Sequence, residues 1–192
     1  MPTPRFPLQE APEPRSSRQL MEDALHTMHG GSPPFQWVEN NGESHIGCYA
    51  PLSYTPTMTA HFFQLAKLVY LPSTVKPRNR ELAILALFSE LRAPYAVYCH
   101  RGVAEKVGLT GEQYEEGLKG TVPRGLSREE EMAYRLGKVL TTMTGPLGEE
   151  VWQEARGCLG REEVVGIVHL IAGYRWVAML EQVNGEDERW EH

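Results

Sequence analysis

Cysteine is scarce in this chain of 192 residues: only Cys48, Cys99 and Cys158, odd in number and far apart. That pattern supplies neither a disulfide framework nor the paired spacing of a zinc site, and it points to a reducing compartment. Positive charge is also short, with 19 Lys and Arg against 25 Asp and Glu and a net charge of −6. Phosphate contacts need a basic face, so nucleic acid is not an expected partner. The N-terminus has prolines and arginines but no apolar core, so it is not read as a secretory signal. Glu10 and Glu13, and the lack of a helical stripe, make it a poor transit peptide as well. The most apolar stretch, Val164 to Leu180, contains His169 and Arg175, which disfavours a membrane span. Strand alternation is missing after residue 50, and no repeat recurs at a fixed period. With membrane and nucleic acid set aside, the expectation is a soluble cytoplasmic protein of one well-cored domain plus a tail.

Proline is plentiful where structure is least expected. Pro2, Pro4, Pro7, Pro12 and Pro14 fall among Arg, Ser and Glu, so residues 1–18 read as a flexible, extended arm. Residues 19–55 combine a short amphipathic helix (Leu20, Met21, Ala24, Leu25, Met28), stopped by Gly30-Gly31, with a turn-rich aromatic segment. Residues 56–185 form the main helical domain, and 186–192 a polar tail. Thr55-Pro56 predicts a helix start, continuing to about Leu71. A second helix from Pro77 to about Arg92 is apolar on most sides and therefore buried. Pro94 opens a third, ending at Gly108. Thr110 with Gln113, and Ser127 with Glu130, have the capping-box spacing and predict two more helices. A shorter helix over Glu149 to Arg156 and a last one from Arg161 to about Val183 complete an all-α fold.

Two ionisable groups interrupt apolar helix faces. Glu81 shares its face with Ile84, Leu85 and Phe88; His100 shares its face with Ala96, Val97, Val103, Ala104 and Val107. A carboxylate or an imidazole facing a core costs free energy unless a partner, a proton or a ligand meets it. For Glu81 the structural alternative is first-turn dipole stabilisation and pairing with Arg78; for His100 it is a satisfied core histidine. Consecutive helices joined by a short link tend to lie antiparallel, so contact between the two groups is plausible from sequence. Cys99 adjoins His100, but adjacent helix residues point about 100° apart, so no dyad forms within that helix. Around them, Arg78 and Arg80 are candidate carboxylate clamps, and His61 and Tyr95 candidate proton donors. Surface arginines and aromatic packing are the competing readings.

The run Pro77-Arg78-Asn79-Arg80-Glu81-Leu82-Ala83-Ile84-Leu85, then Tyr95, His100, Ala104 and Gly108-Leu109-Thr110, resembles the carboxymuconolactone decarboxylase / alkylhydroperoxidase D-like family. More loosely, the resemblance extends from about Tyr54 to Val183. It implies an alkylhydroperoxidase D-like helical bundle whose subunits associate, often as trimers or hexamers. By position, the family's glutamate and histidine fall on Glu81 and His100, and the peroxidase branch's two cysteines on Ala93 and Ala96. Alanine neither attacks a peroxide nor forms a disulfide, so dithiol peroxidase chemistry is not expected. The decarboxylase branch's Tyr-Glu-Trp-like run keeps Tyr95, while Ala96 and Val97 replace the other two.

The expectation is a lyase of decarboxylase type, or an isomerase, that needs no cofactor and no metal. It would act on a small acidic, lactone or keto molecule, with secondary metabolism as a natural setting. His100 would move a proton at carbon and Glu81 orient it, with Arg78, Arg80, His61 and Tyr95 as substrate-binding residues. The alternative is a non-catalytic helical oligomer that binds a ligand or partner.

Overall fold

A computed structural model of the chain describes residues 4–11, 14–40, 42, 44–70, 75–185 and 189–190. Among them the fold is all-α, with no strand; the nearest approach to one is an isolated antiparallel bridge between Val38 and His45. The α-helices are α1 (Pro14–His29), α2 (Tyr49–Leu52), α3 (Pro56–Tyr70), α4 (Pro77–Phe88), α5 (Pro94–Lys106), α6 (Gly111–Leu118), α7 (Arg128–Thr142) and α8 (Glu149–Asn184). Gly160 has φ 78° and breaks α8 into the two helices that the sequence predicts there.

Capping chemistry sets several of these boundaries. Thr110 and Ser127 both form complete capping boxes, with Gln113 and Glu130 returning to the cap backbone. Pro77 occupies the first turn of α4, where its missing N–H costs nothing. α4 stops at Phe88, four residues short of the Arg92 expected from apolar periodicity. Ser89 turns its hydroxyl back to the Ala86 carbonyl at 2.8 Å, and Pro94 disfavours helix at the residue before it.

Two compact units partition the chain. One comprises Met1–Tyr70, Ala93–Cys99 and Val177–His192; the other comprises Leu71–Arg92 and His100–Trp176. In the first, α1 packs on α3 and the core gathers Met21, Leu25, Ile46, Leu52, Phe63 and Tyr95. Gly47 has φ 58°, and a Cβ there would lie 1.9 Å from the Tyr95 ring, so only glycine fits. α1 begins inside the segment read from sequence as an arm, with Pro14 starting the helix and Ser17 buried. Upstream of it, the Tyr54 hydroxyl donates to the Pro7 carbonyl at 2.6 Å, and Phe6 meets the Tyr54 ring edge-on. Residues 1–3 and 12–13 of the expected arm lie outside the described residues, as do 186–188 and 191–192 of the expected polar tail. Trp190, from that tail, rests against Tyr95 and Tyr98.

The second unit is organised around α4, buried from Asn79 to Phe88 and packed on α7 and α6. Glycines set those contacts: a Cβ on Gly137 would come within 2.7 Å of the Ala83 carbonyl oxygen, and one on Gly117 within 2.3 Å of Leu85. The α8 residues Val164, Ile167, Leu170 and Ile171 are buried. By length and composition α8 is also long and apolar enough to cross a membrane, with mean hydropathy 1.4 in its most apolar window.

Candidate functional site

α4 carries an almost wholly apolar sequence into the core of the second unit, and two ionised side chains go with it. Arg80 is 3% exposed and Glu81 2% exposed, so neither charge is solvated. Such burial is tolerable only when charges are paired and hydrogen-bonded. Arg80 Nε donates to Glu81 Oε1 at 3.0 Å, and the other carboxylate oxygen, Oε2, lies 2.7 Å from His100 Nδ1. The two polar anomalies of the sequence are therefore in direct contact, each satisfying the other, with Arg80 as the third member.

The pair's protonation follows from its surroundings. Burial pushes the Glu81 carboxyl upward, but the His100 imidazole and the Arg80 guanidinium outweigh it and hold the group below the usual carboxylate range. An ionised carboxylate only accepts, so the Nδ1 proton of His100 donates to it. That leaves Nε2 as the other ring nitrogen, and it has no hydrogen-bond partner among the described residues. The His100 side chain is 11% exposed, against 1% for Glu81, so it is the outward member of the pair. A carboxylate-oriented imidazole with one nitrogen unengaged is equipped to accept and return a proton.

Two rings lie against His100. Phe88, two turns beyond Glu81 on the same face of α4, lies 5.6 Å away between centroids. Tyr174 of α8 meets the imidazole at 5.0 Å with the planes at 76°. Phe88 shares Glu81's face in the sequence pattern; Tyr174 follows His100 by 74 residues and carries no local signal.

The remaining sequence candidates are placed elsewhere. Glu81 lies beyond the first turn of α4, and Arg78 does not pair with it. Arg78 instead donates to Glu130 Oε1 and to the Gly108 carbonyl, both at 2.5 Å, tying the start of α4 to α7 and to the end of α5. It also lines a surface cavity of about 590 Å³ with Lys76, Asn79, Lys106, Ser127 and Glu129. Tyr95 belongs to the first unit, is 1% exposed, and donates its hydroxyl to the Gln36 carbonyl at 2.8 Å. His61, also of the first unit, is exposed on α3 with Nδ1 3.2 Å from Gln64 Oε1. Of the six candidates, Glu81, His100 and Arg80 are brought together.

The cysteines do not supply a nucleophile beside this pair. Cys99 belongs to the first unit's core, and burial pushes its thiol well up, with the neighbouring Tyr95 opposing the shift. Cys48 is shifted upward by burial too, while Cys158 is half-buried. Among the described residues no group of three or more His, Cys, Asp and Glu side chains is arranged to hold a metal.

A buried carboxylate also shapes α5 itself. Glu181 accepts from the Tyr95 and Ala96 backbone N–H groups at 2.7 and 3.0 Å, capping the helix that carries His100. Searches of family models, curated proteins and solved structures returned no match to this chain.

Proposed function

We propose that the chain is a cofactor-independent acid–base enzyme in which His100 moves a proton at carbon and Glu81 orients and balances it. The observation that carries this reading is the buried 2.7 Å contact between Glu81 Oε2 and His100 Nδ1, with Nε2 left unengaged. In an isomerisation, Nε2 takes the proton next to a carbonyl or lactone carbonyl, and the enolate is reprotonated at another carbon by the same nitrogen. In a decarboxylation, the bond to the carboxylate breaks, CO2 leaves, and the electron pair remains as an enolate. Nε2, having first taken a proton from water to form the imidazolium, then delivers that proton to the carbon. In both cases Glu81 stabilises the imidazolium while it exists.

The substrate class follows from what is already engaged. Arg80 is paired with Glu81 and Arg78 with Glu130, so neither guanidinium stands idle as a carboxylate clamp. This favours a small lactone or ketone over a strongly acidic substrate, and isomerase over decarboxylase within the lyase/isomerase class. The likeness of the Pro77–Thr110 segment to the carboxymuconolactone decarboxylase / alkylhydroperoxidase D-like family supports the same Glu–His frame without its thiols. We propose membership in that family, a role in secondary metabolism and self-association. For self-association, the exposed Val165 and Val168 of α8 are the supporting feature.

One observation favours a second reading, a helical ligand- or partner-binding protein without catalysis. Neither of the two surface cavities described, one at the start of α4 and one between α7 and α8, is lined by Glu81 or His100. The deciding experiment compares metabolites with and without the gene, then incubates the accumulating compound with purified protein. Turnover that His100→Ala abolishes supports the enzyme; tight binding with no turnover supports the second reading.

A further inference from the structure

The single hydrogen bond from Nδ1 leaves the His100 ring free to rock about the Nδ1···Oε2 axis and, by turning about its own bond to Cβ, to lose Glu81 altogether. Terminal rotations of this kind have broad wells, so packing must select the orientation. Three rings meet here at steep angles. Tyr174 to His100 is 5.0 Å at 76°, Phe88 to His100 is 5.6 Å at 59°, and Phe88 to Tyr174 is 6.1 Å at 81°. Mutually steep rings interlock, because rotating one drives its edge into a neighbour's face. The three come from separate helices, α5 for His100, α4 for Phe88 and α8 for Tyr174. Phe88 is 7% exposed and fixed within the core, whereas Tyr174 is half-buried.

We propose that Tyr174 is the positioning residue of the Glu81–His100 pair, holding the imidazole in the orientation that keeps its proton on Nδ1 and its lone pair on Nε2. The aromatic ring performs this task. The functional consequence rests on His100 being the acting group, but the positioning is measurable without any substrate.

The test uses the full chain with 15N-labelled histidine, and long-range proton–nitrogen correlation spectra report which nitrogen is protonated. His100→Gln identifies the signals. In the unaltered protein we expect the Nδ1–H form and nuclear Overhauser contacts from the imidazole protons to both the Tyr174 and Phe88 rings. Tyr174→Phe reproduces that spectrum. Tyr174→Leu and Tyr174→Met, at a half-buried position, move the tautomer ratio about threefold or more toward Nε2–H, the population shift that one aromatic contact carries. Unchanged tautomers in Leu and Met, or no contact with Tyr174 in the unaltered protein, overturns the proposal even if a variant fails to fold. Normal positioning together with full turnover by His100→Ala would leave the positioning intact and refute the enzyme reading instead.

Discussion

Glu81→Gln keeps the shape of the side chain and removes its charge. In the protein, Glu81 is the common partner of a guanidinium at 3.0 Å and an imidazole at 2.7 Å, and the Arg80 side chain is only 4% exposed. Without the carboxylate, Arg80 keeps its buried charge and loses the Glu81 counter-charge beside it. Breaking one side of a buried ion pair in this way costs about 3–5 kcal/mol. Removing both charges together with apolar side chains of similar volume is far less costly, so Arg80→Met with Glu81→Leu should lose much less than the sum of the single changes. A coupling of about 2 kcal/mol or more is expected, near the upper part of the range for contacting residues. Urea unfolding at constant m reads these values directly. The pH dependence gives an independent check. The folded-state pKa of Glu81 is depressed, so its contribution is present above the ordinary carboxylate pKa and is lost as pH falls through the folded value. The stability difference between wild type and Glu81→Gln should therefore shrink on acidification. A Glu81→Gln variant within about 0.5 kcal/mol of wild type at pH 7, the range of ordinary surface changes, would refute the reasoning.

Other sites make separate claims. His45 is buried and stacked on Trp37, with both ring nitrogens unpartnered in the structure; burial, then Arg18, lowers its pKa from 6.5 to about 4. The folded protein binds that proton less readily than the unfolded chain, so stability falls as pH drops below 6.5 and levels off near 4, by about 3 kcal/mol in all. His45→Phe should keep the stack and remove this acid-dependent loss; an unchanged pH profile in thermal melts would contradict it. Gly137→Ala forces a Cβ against the Ala83 backbone and should destabilise by about 1–3 kcal/mol. Gly173→Ala, with nothing within 4 Å, should stabilise by about 0.5–1 kcal/mol, and a reversed order in chemical denaturation would show the α4–α7 contact to be looser than described.

Much of the helical pattern was legible because its signals are local. Thr110, Ser127, Pro56, Pro77 and Pro94 each mark a helix start within a few residues, and Gly108 and Gly160 mark ends through positive φ. Glu81 and His100 were legible as anomalies because polarity conflicted with apolar periodicity on each face. Their contact was not, since spacing along two helices does not set the register between them. Arg80 read as a substrate clamp because its neighbour's need for a counter-charge is invisible until the burial of both is known. Tyr174 and Glu181 were missed for a similar reason. One meets His100 across 74 residues and the other caps α5 across about 85, and neither contact leaves a periodic trace. The aromatic run from Phe35 to Tyr54 announced that it packs, and it does so against Tyr95 through Tyr49, at a ring separation of 6.2 Å.

The central claim is that His100 carries a proton to or from carbon with Glu81 as its partner. The most direct measurement is turnover, in deuterated water, of the compound that accumulates without the gene, by wild type and by His100→Ala and Glu81→Gln. The account predicts a loss of about 10²–10⁴-fold in rate for His100→Ala and a clear loss for Glu81→Gln. If the reaction is a decarboxylation, the product carries one deuterium at the carbon that lost CO2. Full turnover by His100→Ala would contradict the account.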